Sequence, residues 1–193
     1  MTQQKKYGVA LAVAIAIYII MDSKKTPGKP TYAQIQDQLF KYLALGWETF
    51  VPTAKWDYAQ YSIGYGEGWN WDKNRKVQAG DVIDEPTARR WFIKSAEKYF
   101  NYVNDIVKVP VTENQMVALT SLTYNIGPGS LSRGTGIRGS QLIKDLNAGK
   151  PLAEVAKGFD RYTTAFDTRT RIRKVLPGLV RRRNSEKALF LKS

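Results

Sequence analysis

The sequence predicts an α+β fold in which a small β-containing lobe precedes a helical lobe, with a single hydrophobic helix in front. Three observations support this prediction. The run from Tyr7 to Met21 carries no charge, a Tyr- and Gly-rich stretch around residue 60 is typical of a strand with tight turns, and capped helical segments follow from residue 85 onward. Hydrophobic residues make up 43% of the 193 residues and aromatic residues 12%, which is enough to bury one core.

The run from Tyr7 to Met21 predicts a marginal membrane anchor behind Lys5 and Lys6. As a helix it would span roughly 22 Å, against the ~30 Å hydrocarbon core of a bilayer, and snorkelling lysines would close the gap. A cleaved signal peptide has a similar basic start and apolar middle. However, no small-x-small cleavage pattern surrounds Met21, and this favours retention of the segment.

Residues 1–30 therefore form an N-terminal anchor and linker, and residues 31–193 form the domain. Two prolines and a glycine between Thr26 and Pro30 discourage regular structure at the junction. Small residues recur every four positions along the predicted anchor, at Gly8, Ala12 and Ala16. They favour self-association of the anchor helix, or simply the helix itself, since alanine is common in helices.

The domain opens with an amphipathic helix predicted from Tyr32 to Trp47. Apolar residues recur there every four positions, at Ile35, Leu39, Leu43 and Trp47. The stretch from Tyr58 to Gly66 then predicts a strand with tight turns, and Lys73 to Arg75 predicts a further turn.

Helices dominate the rest of the chain. Glu85 opens a helix that continues to about Val107, with Pro86 in the first turn, where its missing N–H costs nothing. Thr112 and Gln115 form a capping box at the start of the next helix, which ends at Gly127. Further helices are predicted over Ser140 to Leu146, over Leu152 to Phe159, and after Pro177 through Leu191.

The composition limits the chemistry. The chain has no cysteine and no histidine, which excludes disulfides, thiolate nucleophiles, histidine-based triads and histidine-based metal sites. Acid–base chemistry must then depend mainly on carboxylates, tyrosines or lysines. The net charge is +13, which favours nucleic acid, anionic lipid or an anionic cell wall as a partner. No nucleic-acid-binding motif accompanies the charge.

Glu48 and Asp57 are the candidate acid–base pair. Glu48 ends the first amphipathic helix among apolar neighbours, a setting that favours a protonated carboxyl group. Asp57 lies in a more polar, Tyr-rich segment that favours ionisation. One protonated and one ionised carboxyl group across a cleft can cleave a glycosidic bond. Taken alone, the spacing is more typical of two solvated acids.

From Glu48 onward the sequence resembles the phage-type lysozymes, the endolysin muramidases of glycoside hydrolase family 24. Their signature is a glutamate, eight residues, an aspartate, five residues and a threonine that runs into Ile-Gly-Tyr-Gly-His. Glu48 and Asp57 keep the first spacing, and Ile63 to Gly66 keep the glycine turn. Further matches follow in the family's order: Val109 to Gln115, Leu119 to Gly127, Gly139 to Leu142, Leu146 to Gly149, and Leu176 to Phe190.

The resemblance implies a two-lobed lysozyme fold and cleavage of the β-1,4 bond between N-acetylmuramic acid and N-acetylglucosamine in peptidoglycan. Glu48 would protonate the leaving oxygen, while Asp57, helped by Ser62, would position water or stabilise the transition state. No metal and no cofactor are implied. The expected partners are bacterial peptidoglycan and a membrane through residues 7–21, and no nucleic acid is expected. The catalytic domain would face the wall from the host inner membrane or from a virion membrane.

Two departures from the family pattern leave a second function open. Ser62 replaces the threonine and follows Asp57 after four residues instead of five. Glu67 replaces the histidine and adds a third carboxylate near the cleft. A catalytically impaired, membrane-anchored wall-binding or virion structural protein is therefore the alternative to an active enzyme.

Other polar residues are candidates for contacts with substrate or with Glu48. Glu67, Asn114, Gln115 and Asn125 are predicted to bind substrate, although helix capping also accounts for Asn114 and Gln115. One arginine of Arg181 to Arg183 is implied to orient Glu48, unless the three form a solvated basic face. Trp69 and Trp71 would stack on sugar rings or, more simply, pack onto the small lobe.

Overall fold

The computed structural model describes residues 28–57, 60–167 and 171–192, without the side chains of Asp57, Phe166 and Asp167. The first part of the fold contains helix α1 (Tyr32–Leu43) and the strands β1 (Val51–Asp57), β2 (Gln60–Gly64), β3 (Trp69–Asn70) and β4 (Arg75–Lys76). The second part contains α2 (Glu85–Ile106), α3 (Glu113–Ile126), α4 (Gln141–Asn147), α5 (Leu152–Ala156), a 3-10 helix (Lys157–Tyr162), β5 (Thr164–Asp167), β6 (Ile172–Val175) and α6 (Pro177–Leu191). The mixed α and β fold predicted from the sequence is confirmed.

Three antiparallel hairpins supply the β structure. β1 pairs with β2, β3 with β4, and β5 with β6. In the first hairpin Asp57 lies opposite Gln60 and Trp56 opposite Tyr61, and the register shifts between Val51 and Lys55. The predicted strand around residue 60 is thus the second arm of a hairpin. A second, small apolar cluster lies between this β part and α2, where Ile63 and Val77 pack with Trp91.

The helix starts follow the local signals in the sequence. The Asp84 side chain accepts the Thr87 N–H at the start of α2, which carries its proline in the first turn. At the start of α3, the Thr112 hydroxyl accepts the Gln115 N–H, and the Gln115 side chain accepts the Thr112 N–H. The proline in the first turn of α2, the capping box of α3 and the end of α3 at Gly127 are confirmed, whereas the Asp84 cap was not predicted.

Helix α3 lies at the centre of the main core. Its residues from Gln115 to Thr123 are all buried, and α1, α2 and α6 pack around it. Ile35, Leu39 and Leu43 of α1 are fully buried, as their spacing predicts. Burial on this scale is the dominant stabilising contribution to such a fold.

Helix α1 ends at Leu43, and the predicted continuation to Trp47 is wrong. The chain turns instead, and the N–H groups of Trp47 and Glu48 both donate to the Leu43 carbonyl, at 3.0 and 3.2 Å. Gly46 permits this turn, because a β-carbon there would lie 2.4 Å from the Tyr42 carbonyl oxygen. The early turn decides where Glu48 lies.

The C-terminal region departs from the prediction in two ways. The β5–β6 hairpin was not anticipated, since its sequence shows no clear alternation of apolar and polar residues. The interpretation of Arg181 to Arg183 as a solvated basic face is also wrong. Only Arg181 of the three is exposed, whereas Arg182 and Arg183 are buried together with Glu186.

The residues just before Thr31 pack onto the domain. The Lys29 ammonium group is buried and donates to the carbonyl oxygens of Asn104 (2.6 Å) and Val107 (2.9 Å) at the end of α2. Val111 donates its N–H to the Gly28 carbonyl. The predicted anchor over residues 7–21 lies outside the described residues. Within the described ranges, no helix is both long enough and apolar enough to cross a membrane.

Candidate active site

Glu48 is held by an arginine from the far end of the chain. Its Oε1 accepts a hydrogen bond from Arg182 Nη1 at 2.9 Å. The Arg182 side chain is 7% exposed and the Glu48 side chain 24% exposed, so the carboxyl group is anchored from the protein interior while part of it stays accessible. The arginine that the resemblance left unspecified is therefore Arg182.

Arg182 belongs to a buried network of charges. Its Nε lies 3.3 Å from Oε1 of Glu186, which also accepts from Ser121 Oγ at 2.6 Å and from Arg183 Nη2 at 2.8 Å. Burial raises the pKa of Glu186, although the two arginines oppose the rise. The two guanidinium groups pair with the carboxyl groups of Glu48 and Glu186, and this pairing limits the cost of burying the network.

Gly66 forms the wall beside Glu48. Its φ of 88° lies in a region that favours glycine, and a β-carbon built there would lie 3.5 Å from Glu48 Oε2. The Ile63 and Glu67 backbones exchange two hydrogen bonds across this turn, at 2.9 and 3.0 Å. The absence of a side chain at Gly66 leaves the second oxygen of Glu48 uncovered on this side.

Glu67 is buried beside Glu48 and is hydrogen-bonded from two helices. Ser95 of α2 donates to its Oε2 at 2.5 Å, and the side chain of Tyr124 on α3 lies 3.0 Å from its Oε1. The Tyr124 hydroxyl also lies 3.0 Å from the carbonyl oxygen of Tyr65, which can only accept. One hydroxyl hydrogen cannot serve both acceptors. The contacts are all satisfied when Tyr124 donates to Tyr65 and Glu67 carries a proton that it donates to Tyr124.

The electrostatic surroundings favour the same protonated form. Burial raises the pKa of Glu67 to about 7, with a further contribution from the charge of Glu48, and the hydrogen bonds from Ser95 and Tyr124 only partly oppose the rise. Burial also raises the pKa of Tyr124 well above its usual value, and the Glu67 charge adds to that rise. Below a pH of about 7, the protonated Glu67 therefore places no second full charge against Glu48.

Asp57 and Ser62 lie on the two arms of the first hairpin. The Asp57 backbone ends β1 opposite Gln60, and its side chain lies outside the described part of the structure. Ser62 is half-buried in β2 opposite Lys55. Both residues are thus carried by the hairpin that follows Glu48 directly, while their catalytic roles stay predictions.

The candidate substrate-binding residues divide between the two ends of α3. Asn125 is exposed at the C-terminal end, next to Tyr124, and accepts from Arg183 Nη1 at 2.9 Å. Asn114 and Gln115 lie about 16 Å away along the helix. Gln115 is used in the cap, and Asn114 accepts from Gln38 and donates to the Lys192 carbonyl. The structure thus brings Asn125 and Glu67 to the site but not Asn114 or Gln115.

Comparison with protein families decides what this arrangement belongs to. The family model described as phage lysozyme matches residues 45–186, which include Glu48 and Arg182. The chain belongs to the phage lysozyme family. This membership places it in the lysozyme class of glycoside hydrolases.

Individual endolysins share about a quarter to a third of their aligned residues with the chain. The chain is 34% identical to the endolysin of Acyrthosiphon pisum secondary endosymbiont phage 1, over 68% of this chain and 80% of that protein. It is 33% identical to the endolysin of Bacillus phage B103, over 73% of this chain but only 45% of that protein. The solved endolysin from Escherichia coli O157:H7 phage FAHEc1 superposes with a TM-score of 0.71 at 27% identity, covering 82% of this chain and 94% of that one.

Four residues of this lysozyme site were not individually identified from the sequence, although three of them left a signal. Arg182 and Glu186 precede the buried Phe190 at intervals of four, so the two charged residues share a helix face with a core residue. Ser95 similarly lies on the apolar stripe of α2 with Trp91 and Phe92. Tyr124 shows no such signal, because its role depends on the turn that Gly66 makes.

Proposed function

We propose that this phage lysozyme hydrolyses the β-1,4 bond between N-acetylmuramic acid and N-acetylglucosamine, with Glu48 as the general acid. The observation that supports this most directly is the geometry of Glu48, which is partly exposed and fixed by the buried Arg182 at 2.9 Å. A proton donor must be positioned before the substrate arrives, since a misplaced donor loses much of its effect on the rate.

In this mechanism each group has a distinct task. Glu48 donates its proton to the oxygen of the leaving sugar as the glycosidic bond breaks, and the remaining sugar takes on oxocarbenium character. Asp57, on the hairpin, stabilises that charge or activates the attacking water, and Ser62 helps to position the water. Arg182 touches neither sugar and acts through Glu48 by fixing its orientation.

The N-terminal segment completes the proposal. Residues 7–21 anchor the chain in a membrane, and the domain then faces the wall. The curated Bacillus phage relative is named an endolysin, and the chain spans less than half of that protein's length. We therefore base the proposed lytic role on the site of this chain and not on the function of that longer protein.

The decisive experiment compares digests of purified peptidoglycan by the parent protein and by Glu48→Gln. The amide keeps the shape of the carboxyl group but has no proton to donate, so turnover should fall by about 10²- to 10⁴-fold. Glu113→Gln, an exposed acid at the start of α3, is the matched control and should cleave normally. Near-parental cleavage by a folded Glu48→Gln protein would refute the assignment.

The same digests test the second carboxylate and the bond. Asp57→Asn should also lower turnover severely. If Asp57→Asn stays active while Glu48→Gln does not, Glu48 keeps its role as the general acid, but the two-carboxylate mechanism is refuted. Mass spectrometry of the products identifies which sugar carries the new reducing end. It also separates hydrolysis from transglycosylation, which leaves an anhydro sugar instead.

The alternative is a membrane-anchored protein that binds the wall without cleaving it. The replacement of the family histidine by Glu67 favours this alternative, since the site lacks a side chain that its relatives have. Binding of the parent protein to peptidoglycan with no products in the digest would establish it.

A further inference from the structure

A cavity of about 530 Å³ lies beside the candidate active site, between the β3–β4 hairpin and α2. Glu67 lines it, whereas Glu48 does not. Glu67 directly follows Gly66, where a β-carbon would lie 3.5 Å from Glu48 Oε2. Glu67 thus lies between the cavity and the proposed proton donor, whose charge acts on it.

Two lysines from different elements line the cavity. Lys76 of β4 lies directly opposite Trp69 of β3, and Lys98 shares one face of α2 with Ser95 and Tyr99. Among the described residues, neither lysine forms an ion pair. The one acidic residue in the lining is Glu67, and the two ammonium groups outweigh its single charge even when it is ionised. The cavity is thus electropositive.

The rest of the lining suits an organic ligand with polar groups. Trp69 is 37% exposed and offers an aromatic face. The indole N–H of Trp71 is buried without a hydrogen-bond partner, although it lies near enough to Glu67 to influence that carboxyl group. A neutral sugar would use the aromatic face but has no need of two ammonium groups. A carboxylate-bearing ligand uses both.

We propose that this cavity binds the peptide arm of the wall through its free carboxylates, with Lys76 and Lys98 as the residues that recognise them. This inference depends on the proposed function, because the peptide arm is attached to N-acetylmuramic acid, the sugar on one side of the bond to be cleaved. Attachment at that sugar places the peptide near Glu48, on whose Glu67 side the cavity lies. The wall substrate is then recognised by its peptide as well as by its glycan.

The test uses Lys76→Met/Lys98→Met, which keeps most of the apolar stem of each side chain and removes both charges. The matched control is Lys41→Met/Lys144→Met, which removes two exposed lysines outside the cavity. Both variants and the parent act on glycan strands that carry peptides and on the same strands freed of peptides by an amidase. The cavity variant should raise KM about tenfold on the peptide-bearing strands alone, with kcat unchanged.

Equal increases in KM on both kinds of strand, or the same increase in the control, would overturn the proposal, since the lysines would then act only through the overall field. Calorimetric titration with the amidase-released peptide is independent of cleavage. The parent should bind the peptide, and the cavity variant should bind it about tenfold more weakly. A protein that cleaves no strand yet binds the peptide in this lysine-dependent way would refute the proposed function and support the cavity's role. Cleavage without any peptide binding would do the reverse.

Discussion

Replacing Glu67 by glutamine tests the electrostatics of the site through protein stability. The carboxyl group is 4% exposed, and burial raises its pKa to about 7 from an ordinary 4.5. A raised pKa means that the folded protein binds this proton more tightly than the unfolded chain does. The resulting stabilisation is present in full below pH 4.5 and is lost as the pH rises towards 7.

The size of the effect follows from that rise in pKa. At about 1.36 kcal/mol for each tenfold change, a rise from 4.5 to about 7 corresponds to about 3 kcal/mol of unfolding free energy. Glu67→Gln has no proton to lose and keeps an oxygen that can accept from Ser95. The variant should therefore gain about 3 kcal/mol relative to the parent between pH 4 and pH 8.

The measurement is urea unfolding of both proteins at pH 4, 6 and 8. Carboxyl groups common to both proteins titrate alike and cancel in the difference, so the pH dependence that remains belongs to Glu67. Glu97→Gln, an exposed acid on α2, is the control, and its difference from the parent should not change between pH 6 and pH 8. A difference for Glu67→Gln that stays constant from pH 4 to pH 8 would show that folding does not raise the pKa of Glu67, and the proton assigned to it would be wrong.

Three further substitutions have expected outcomes. Arg182→Met should lower the unfolding free energy by about 3 kcal/mol, because it breaks a buried ion pair, and it should also lower kcat. Urea unfolding and turnover assays measure the two effects, and the exposed control Arg181→Met should show neither. Lys29→Met should cost about 2 kcal/mol in urea unfolding, because two charged hydrogen bonds to the end of α2 are lost, while Lys41→Met serves as the neutral control. Ser62→Ala should lower turnover tenfold or more on purified peptidoglycan with little loss of stability, and parental turnover would remove Ser62 from the mechanism.

The sequence alone determined the features that depend on neighbours along the chain. The proline in the first turn of α2, the capping box of Thr112 with Gln115, and the four-residue spacing of Ile35, Leu39 and Leu43 predicted elements that the structure contains. These signals are local because a cap or a helix face is formed by residues within about four positions of each other. The ordered motifs from Glu48 onward were enough to predict the family.

The tertiary structure decided which distant residues meet at the site. Three consecutive arginines differ by about 100° around α6, and only the packing of that helix against α3 shows that Arg182 faces Glu48 while Arg181 faces solvent. The sequence likewise could not determine the protonation state of Glu67, because its hydrogen-bond partners Ser95 and Tyr124 come from two separate helices. Burial between these helices raises the pKa of Glu67 to about 7, and the sequence alone shows only an added carboxyl group.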